Sequence, residues 1–524
     1  MGRAIMVQGT ASGVGKSILV TALCRLFAQE GYRVSPFKAQ NMSLNATVTP
    51  DGREIAWAQY IQALAARAVP SADMNPILLK PEAGSRCQVI VHGRVVGSFS
   101  AREYPACIRE MAQEAISSSL KRLLSTSDVV VIEGAGSPAE VNLRERDLAN
   151  MAVAAMADAP VLLVADIDRG GALAALVGTM ELLPPEEKRR VVGVVINRFR
   201  GDADLLTPAI SFLQETLGVP VVGVLPYLPG LALGEEDSQT QPRLYFSRES
   251  TVQVDVVVVD LPHLANSTDF LALATEPGVR LRFVRPEERI GPTDLIVLPG
   301  TKTTIADLKA LRATGMVDQI CAARTLGIPL VGICGGFQML GRSLHDPDGV
   351  EGSLAQAEGL GLLPLETVFQ RGKVTVQVEA EVITDLGPFA GLRGMRVRGY
   401  EIHTGRSGGK GQSVFRICEE GAREEGMISP DGLVWGTYLH GLFENPPLRQ
   451  ALISWVASRK GLRLDLLREG EPAMLETSFE RLAEAVWRHL DVVWLFRVLG
   501  LVPPTSRRIF EGALSLEKDE GKGA

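Results

Sequence analysis

The residues best placed to do chemistry sit in two strand-to-helix turns. The first is Gly9-Thr-Ala-Ser-Gly-Val-Gly-Lys-Ser17, which follows an apolar run and leads into an amphipathic helical stretch. Such a loop gathers backbone N–H groups and the positive end of a helix dipole around a polyphosphate. Gly9, Thr10, Gly13 and Gly15 would shape the cradle, Lys16 would reach the β- and γ-phosphates of ATP, and the Ser17 hydroxyl would hold Mg²⁺. The spacing departs from G-x-x-x-x-G-K-[ST], because Gly9 comes one residue early and Thr10 stands where the first glycine belongs. A bare glycine-rich turn is the plainer alternative, disfavoured by Lys16-Ser17 at a helix start. A partition-type switch ATPase would carry a second lysine five residues before the loop lysine, where this chain has Ala11.

The partners of that loop belong at the carboxyl ends of parallel strands, where open sheets bind ligands. Val129-Val-Val-Ile-Glu133-Gly-Ala-Gly ends an apolar run in a carboxylate, which makes Glu133 a candidate Mg²⁺ ligand, with a simple turn cap as the alternative. Asp166 and Asp168 end a second such run, and Asn197, ending a third, could pair with a purine edge. Lys38 and Asn41 follow the strand expected around Tyr32–Ser35. They could meet the γ-phosphate or an acceptor carboxylate.

The second turn is Ile328-Pro-Leu-Val-Gly-Ile-Cys334-Gly-Gly, an apolar strand, a cysteine and a glycine pair opening a helix. This geometry exposes a nucleophile and aims the Gly335 N–H at a developing oxyanion, with Gly300 of Leu295-Ile-Val-Leu-Pro-Gly300 as a second donor. His440, in Gly436-Thr-Tyr-Leu-His-Gly, is the expected base, since a thiol paired with imidazole attacks an amide far better than a free one. His403 borders the same site in this reading.

Alternating β-branched runs and helical patterns position these turns. Strands are expected at Ala4–Val7, Val129–Ile132, Val161–Ala165 and Val191–Ile196, with helices at Lys16–Gln29 and Glu54–Arg67. After a Pro-, Gly- and charge-rich linker the alternation resumes with Val252–Val259, Leu295–Leu298 and Pro329–Ile333, then hairpin-like strands at Lys373–Val382 and Gly394–Ile402. Helices are expected at Leu448–Lys460 and Phe479–Val498. The fold class is therefore α/β, with two doubly wound domains and a helical C-terminal segment. The proposed division is 1–235 for ATP binding, 236–250 linker, 251–446 second domain, and 447–524 helical extension and frayed tail.

Composition narrows the function further. The 524 residues carry 54 Lys+Arg against 61 Asp+Glu, a net charge of −7, which argues against a nucleic-acid partner. Six cysteines lie far apart without metal-ligand or disulfide spacing, and no stretch reads as a secretory signal or membrane span. A cytoplasmic protein is expected, of undetermined oligomeric state.

With these motifs assembled, the chain resembles the cobyric acid synthase family. The resemblance rests on Gln8-Gly-Thr-Ala-Ser-Gly-Val-Gly-Lys-Ser, Phe37-Lys-Ala-Gln-Asn-Met-Ser, Asn75-Pro-Ile-Leu-Leu-Lys-Pro-Glu, Glu133-Gly-Ala-Gly-Ser-Pro, Ala165-Asp-Ile-Asp-Arg-Gly-Gly, Gly399-Tyr-Glu-Ile-His and Tyr438-Leu-His-Gly. It implies a dethiobiotin synthetase-like first domain and a class I glutamine amidotransferase-like second one. It also implies ATP and Mg²⁺ as cofactors, glutamine as nitrogen donor and a corrinoid acid as substrate, amidated at its b, d, e and g carboxylates through acyl phosphates. Lys80 and Arg86 become candidate contacts for substrate carboxylates. Many class I amidotransferases place a glutamate two residues after the histidine; Leu442 occupies that position here, leaving Glu444 as the candidate orienter. The nearest alternative is a cobyrinic acid a,c-diamide synthase or another amidoligase of the same plan. A nucleotide-driven switch with a degenerate amidotransferase module is a more distant one.

Overall fold

The structure, a computed structural model, describes residues 2–84, 86–100, 106–231, 233, 244–245, 253–352, 354–418, 422–466 and 471–503. The first half is built on a six-stranded sheet ordered Val221–Pro226, Val191–Phe199, Val161–Asp166, Arg3–Gly9, Val129–Glu133, Val34–Phe37, all parallel. Successive residues of one strand feed opposite layers: Ala4 and Met6 enter one apolar core, Ile5 and Val7 the other. That two-sided burial explains why the strands read as unbroken apolar runs.

The second half carries a seven-stranded sheet whose central strands, Val254–Val259, Leu295–Leu298, Leu330–Ile333 and Val434–Thr437, run parallel side by side. A long antiparallel hairpin, Leu365–Val382 with Arg396–Gly409, stands beside it. A smaller four-stranded sheet contains Ile77–Glu82, Arg86–Val91 and Arg94–Ser100 in antiparallel succession, with Gln40–Met42 on its edge. None of these last strands was anticipated from the sequence.

Two expected elements differ. Glu54–Ala56 is a strand paired with Ala46–Val48, and the helix occupies only Trp57–Ala65, because Glu54 is buried in an ion cluster that the helix would have carried away. The expected helix Phe479–Val498 is two helices, Glu471–His489 and Val492–Val498, since the Asp491 carboxylate accepts the Trp494 N–H and starts a new helix. The linker at 236–250 lies outside the described residues apart from Leu244–Tyr245, a short edge strand against Val279–Val284; the tail from residue 504 also lies outside them.

The C-terminal helices divide between the halves. Pro446–Ser458 packs into the second core through Leu448, Leu452 and Val456. Glu471–His489 and Val492–Val498 return to the first half, where Phe479, Leu482, Leu495 and Phe496 complete the layer over Ile5 and Val7. Arg25, fully buried in the helix Lys16–Gln29, anchors this return through ion pairs to Glu476 and, at 2.7 Å, Glu480.

Two candidate active sites

In the first half, Gly9, Glu133 and Lys38 emerge at the carboxyl ends of three adjacent parallel strands. The early glycine is required by packing: a Cβ on Gly9 would stand 2.6 Å from Val14 Cγ2 and 3.1 Å from the Lys16 side chain. Gly15 begins the helix in the left-handed region at φ 97°, with the Asn197 amide directly against it. Asn197 donates one amide N–H to the Val14 carbonyl at 2.8 Å, which seats the side chain against the loop. Lys16 Nζ lies 3.0 Å from the Ala11 carbonyl and 3.1 Å from that of Gly136, joining the loop to the turn after Glu133.

Glu133 is the hub of this site. It is fully buried, accepts from Lys38 Nζ at 2.7 Å and from the Ser17 hydroxyl at 3.0 Å on one oxygen, and from Gln62 Nε2 at 2.6 Å on the other. Gln59 bridges Gln62 and Asn41, with Asn41 Nδ2 donating to Gln59 at 2.8 Å. The sequence reading singled out Glu133, Ser17, Lys38 and Asn41 separately and missed Gln59 and Gln62, which bind them into one buried network. Ser17 and Glu133 place a hydroxyl and a carboxylate oxygen together, a donor set suited to Mg²⁺ completed by phosphate oxygens. Among the described residues no cluster of three or more His, Cys, Asp or Glu gathers to cage a metal.

Other candidates lie elsewhere. Asp166 is buried and paired with Arg198 at 2.7 Å, while the exposed Asp168 pairs with Arg200 at 2.9 Å. Arg86 Nε donates to Ser98 Oγ at 3.2 Å within the four-stranded sheet. Lys80, expected near the acceptor, lines the cavity that holds Cys334 and His440 and is paired with Glu54.

In the second half, Gly300, Cys334 and His440 follow three adjacent parallel strands, in register through Leu298–Gly332 and Ile333–Thr437. Cys334 has φ 51° and ψ −107°, the strained elbow that sets a nucleophile above a helix start. The glycine pair after it has no space to spare: a Cβ on Gly336 would approach the Leu298 carbonyl to 1.9 Å, and one on Gly335 would lie 3.0 Å from Thr301 N. A Cβ on Gly300 would stand 3.1 Å from His440 Cε1 and 3.7 Å from Cys334 Cβ, so Gly300 borders both reactive side chains.

His440 is buried, and its Nδ1 lies 2.7 Å from Asp269 Oδ2, while the Gly441 N–H donates to the other oxygen at 2.9 Å. Glu444 is therefore not the group on this nitrogen. Burial alone would push the imidazole down, but the Asp269 carboxylate and then the neighbouring Cys334 sulfur carry its pKa up to about 10. Tyr400 stacks on the ring at 5.3 Å. His403 does border the site, but burial pushes it down to about 4, and its Nδ1 contacts the Gly405 carbonyl at 2.8 Å.

The Asp269 segment is held by the other half. The Ser267 N–H donates to Asn45 Oδ1 at 2.9 Å, and the Ala46 N–H donates to Asn266 Oδ1 at 3.2 Å.

Known proteins bear on both halves. The CobQ/CobB/MinD/ParA nucleotide binding domain model matches residues 5–240, and the CobB/CobQ-like glutamine amidotransferase domain model matches residues 255–448. The fold and the two sites thus define a glutamine amidotransferase joined to a nucleotide-binding domain. Cobyric acid synthase of Moorella thermoacetica is 48% identical over 516 residues, covering 96% of this chain and 98% of that protein. The enzyme of the same name from Pelotomaculum thermopropionicum is 50% identical over 515 residues, with the same coverage. The chain belongs to the cobyric acid synthase family, a family of glutamine-hydrolysing ligases. Among the described residues no helix is long and apolar enough to cross a membrane.

Proposed function

We propose that the chain amidates the b, d, e and g carboxylates of adenosylcobyrinic acid a,c-diamide, using ATP to form acyl phosphates and glutamine to supply ammonia. The observation that carries this reading is the pairing, in one polypeptide, of a buried Lys16–Ser17–Glu133–Lys38 cluster with a Cys334–His440–Asp269 cluster. Membership of the family supports the choice of corrinoid substrate.

At the second site, His440 already carries its proton as imidazolium beside Asp269 and stabilises negative charge on the Cys334 sulfur. The sulfur attacks the glutamine amide carbon, and the tetrahedral oxyanion sits against the N–H groups near Gly335 and Gly300. His440 gives its proton to the leaving nitrogen, releasing ammonia and leaving a thioester that water hydrolyses to glutamate. At the first site, Lys16 and Lys38 bring positive charge to the ATP phosphates and the acceptor carboxylate, so that phosphoryl transfer proceeds by positioning and neutralisation. Ser17 and Glu133 would hold Mg²⁺ together with the phosphates, and the bound ion would add to the neutralisation. Ammonia then attacks the acyl phosphate, forming the amide and expelling phosphate.

The test is incubation of the protein with ATP, Mg²⁺, glutamine and the diamide, followed by mass spectrometry. Addition of four amides is expected. A product unchanged in mass, or, in a parallel incubation with the unamidated acid, amidation confined to its a and c positions, would overturn the assignment.

A further inference from the structure

The cavity that opens on Cys334 and His440 is walled by both halves of the chain. Lys80 and Gln88 come from the four-stranded sheet of the first half, while Lys302, Glu351 and Lys373 come from the second. Lys80 and Gln88 face each other across paired strands. Lys373 sits where the register of the long hairpin breaks between Phe369 and Val374, a bulge that re-aims its side chain toward the junction.

The charges on these walls are unequal. Glu54 takes Lys80 on one oxygen and Lys373 on the other, each at 2.5 Å, with the three side chains 1%, 4% and 12% exposed respectively. Two ammonium groups share one carboxylate, so a positive charge is left over in a poorly solvated place, which is costly unless an anion joins them. Desolvation brings Lys373 down to about 8, in keeping with that surplus. Lys302 has its own carboxylate, Glu82 at 2.7 Å. Glu351 supplies the opposite sign: it accepts the Thr304 N–H and is pushed by burial up to about 7. It would ionise fully once a cation arrived beside it. His403, held low by burial, adds no charge near neutral pH.

We propose that these walls bind the amino-acid end of glutamine, with the Lys80–Glu54–Lys373 cluster taking the α-carboxylate and Glu351 the α-ammonium while the side-chain amide reaches Cys334. The subsite rests on the reading of Cys334 and His440 as a glutaminase. It makes that site incomplete without the synthetase half, which contributes Lys80 and the carboxylate that binds both lysines.

The test uses the full chain with three substrates: glutamine, L-glutamine α-amide, which lacks the carboxylate charge, and glutaramate, which lacks the α-amine. The wild-type protein should hydrolyse each analogue with kcat/KM at least about tenfold below that for glutamine, because each removes a charge-assisted contact. Lys373→Met should raise KM for glutamine about tenfold and narrow the discrimination against the α-amide, with the ratio of glutamine- to ammonia-driven amidation reporting the change independently of folding. Wild-type hydrolysis that is Cys334-dependent but equally fast on all three substrates, or a Lys373→Met protein with unaltered KM, overturns the subsite alone. Absence of glutamine hydrolysis, or its persistence in Cys334→Ala, overturns the glutaminase reading and the subsite with it.

Discussion

The His440 imidazole is oriented by Asp269, 2.7 Å away and 171 residues earlier in the chain. Leu442 stands where many class I amidotransferases carry a glutamate, and the carboxylate beside His440 comes from a 3-10 turn, Ser267–Phe270, at the junction of the two halves. Asp269→Asn should keep the packing but lower glutamine-driven turnover by up to about 10⁴-fold, the loss known when a catalytic triad's orienting Asp becomes Asn. Ammonia-driven amidation, assayed in parallel, should change little.

The same pair makes stability depend on pH. Because the folded-state pKa of His440 is raised from 6.5 to about 10, its contribution is fully present below about pH 6.5 and disappears as pH rises toward about 10. Denaturant midpoints measured across that window should fall more steeply for the wild type than for Asp269→Asn.

Separation of the two chemistries is tested by two substitutions. Cys334→Ala should abolish amidation with glutamine and retain it with ammonium salts. Lys16→Ala should abolish it with either nitrogen source, since no acyl phosphate would form.

Glu133 gathers Ser17 and Lys38 on one carboxylate oxygen. Glu133→Ala should raise the Mg²⁺ concentration needed for half-maximal rate. It should also destabilise the fold by about 3 kcal/mol, because Lys38 would be left buried without its carboxylate. Mg²⁺ titration and urea unfolding read the two effects separately.

Gly336→Ala probes the elbow. The added carbon would meet the backbone of Leu298, which cannot swing aside, so a loss of about 2 kcal/mol or more is expected, with glutaminase activity falling alongside it.

What could be read from the sequence follows from distance along the chain. Lys16, Glu133, Gly300, Cys334 and His440 each follow an apolar strand at a short fixed offset, with glycine beside them, so period and punctuation exposed them. Asp269 sits in Asn-Ser-Thr-Asp-Phe, which has neither strand nor glycine signature, and its role exists only once distant strands are brought together. Gln62 looked like one polar position on a helix, and Lys373 like one charge on a strand. Their partners, Glu133 and Glu54, are supplied by tertiary packing. The family resemblance suggested Lys80 as a substrate contact; that it lines the cavity of Cys334 and His440 could not be read, because the small sheet carrying it has weak alternation and was not foreseen.

The return of the helices Glu471–His489 and Val492–Val498 to the opening strand and helix has a consequence for biogenesis. The nucleotide-binding layer cannot be closed until almost the whole polypeptide has left the ribosome, by which time the amide-cleaving module has already been synthesised. Any nascent fragment that ends before residue 471 therefore lacks the apolar cover of Phe479, Leu482, Leu495 and Phe496 over Ile5 and Val7.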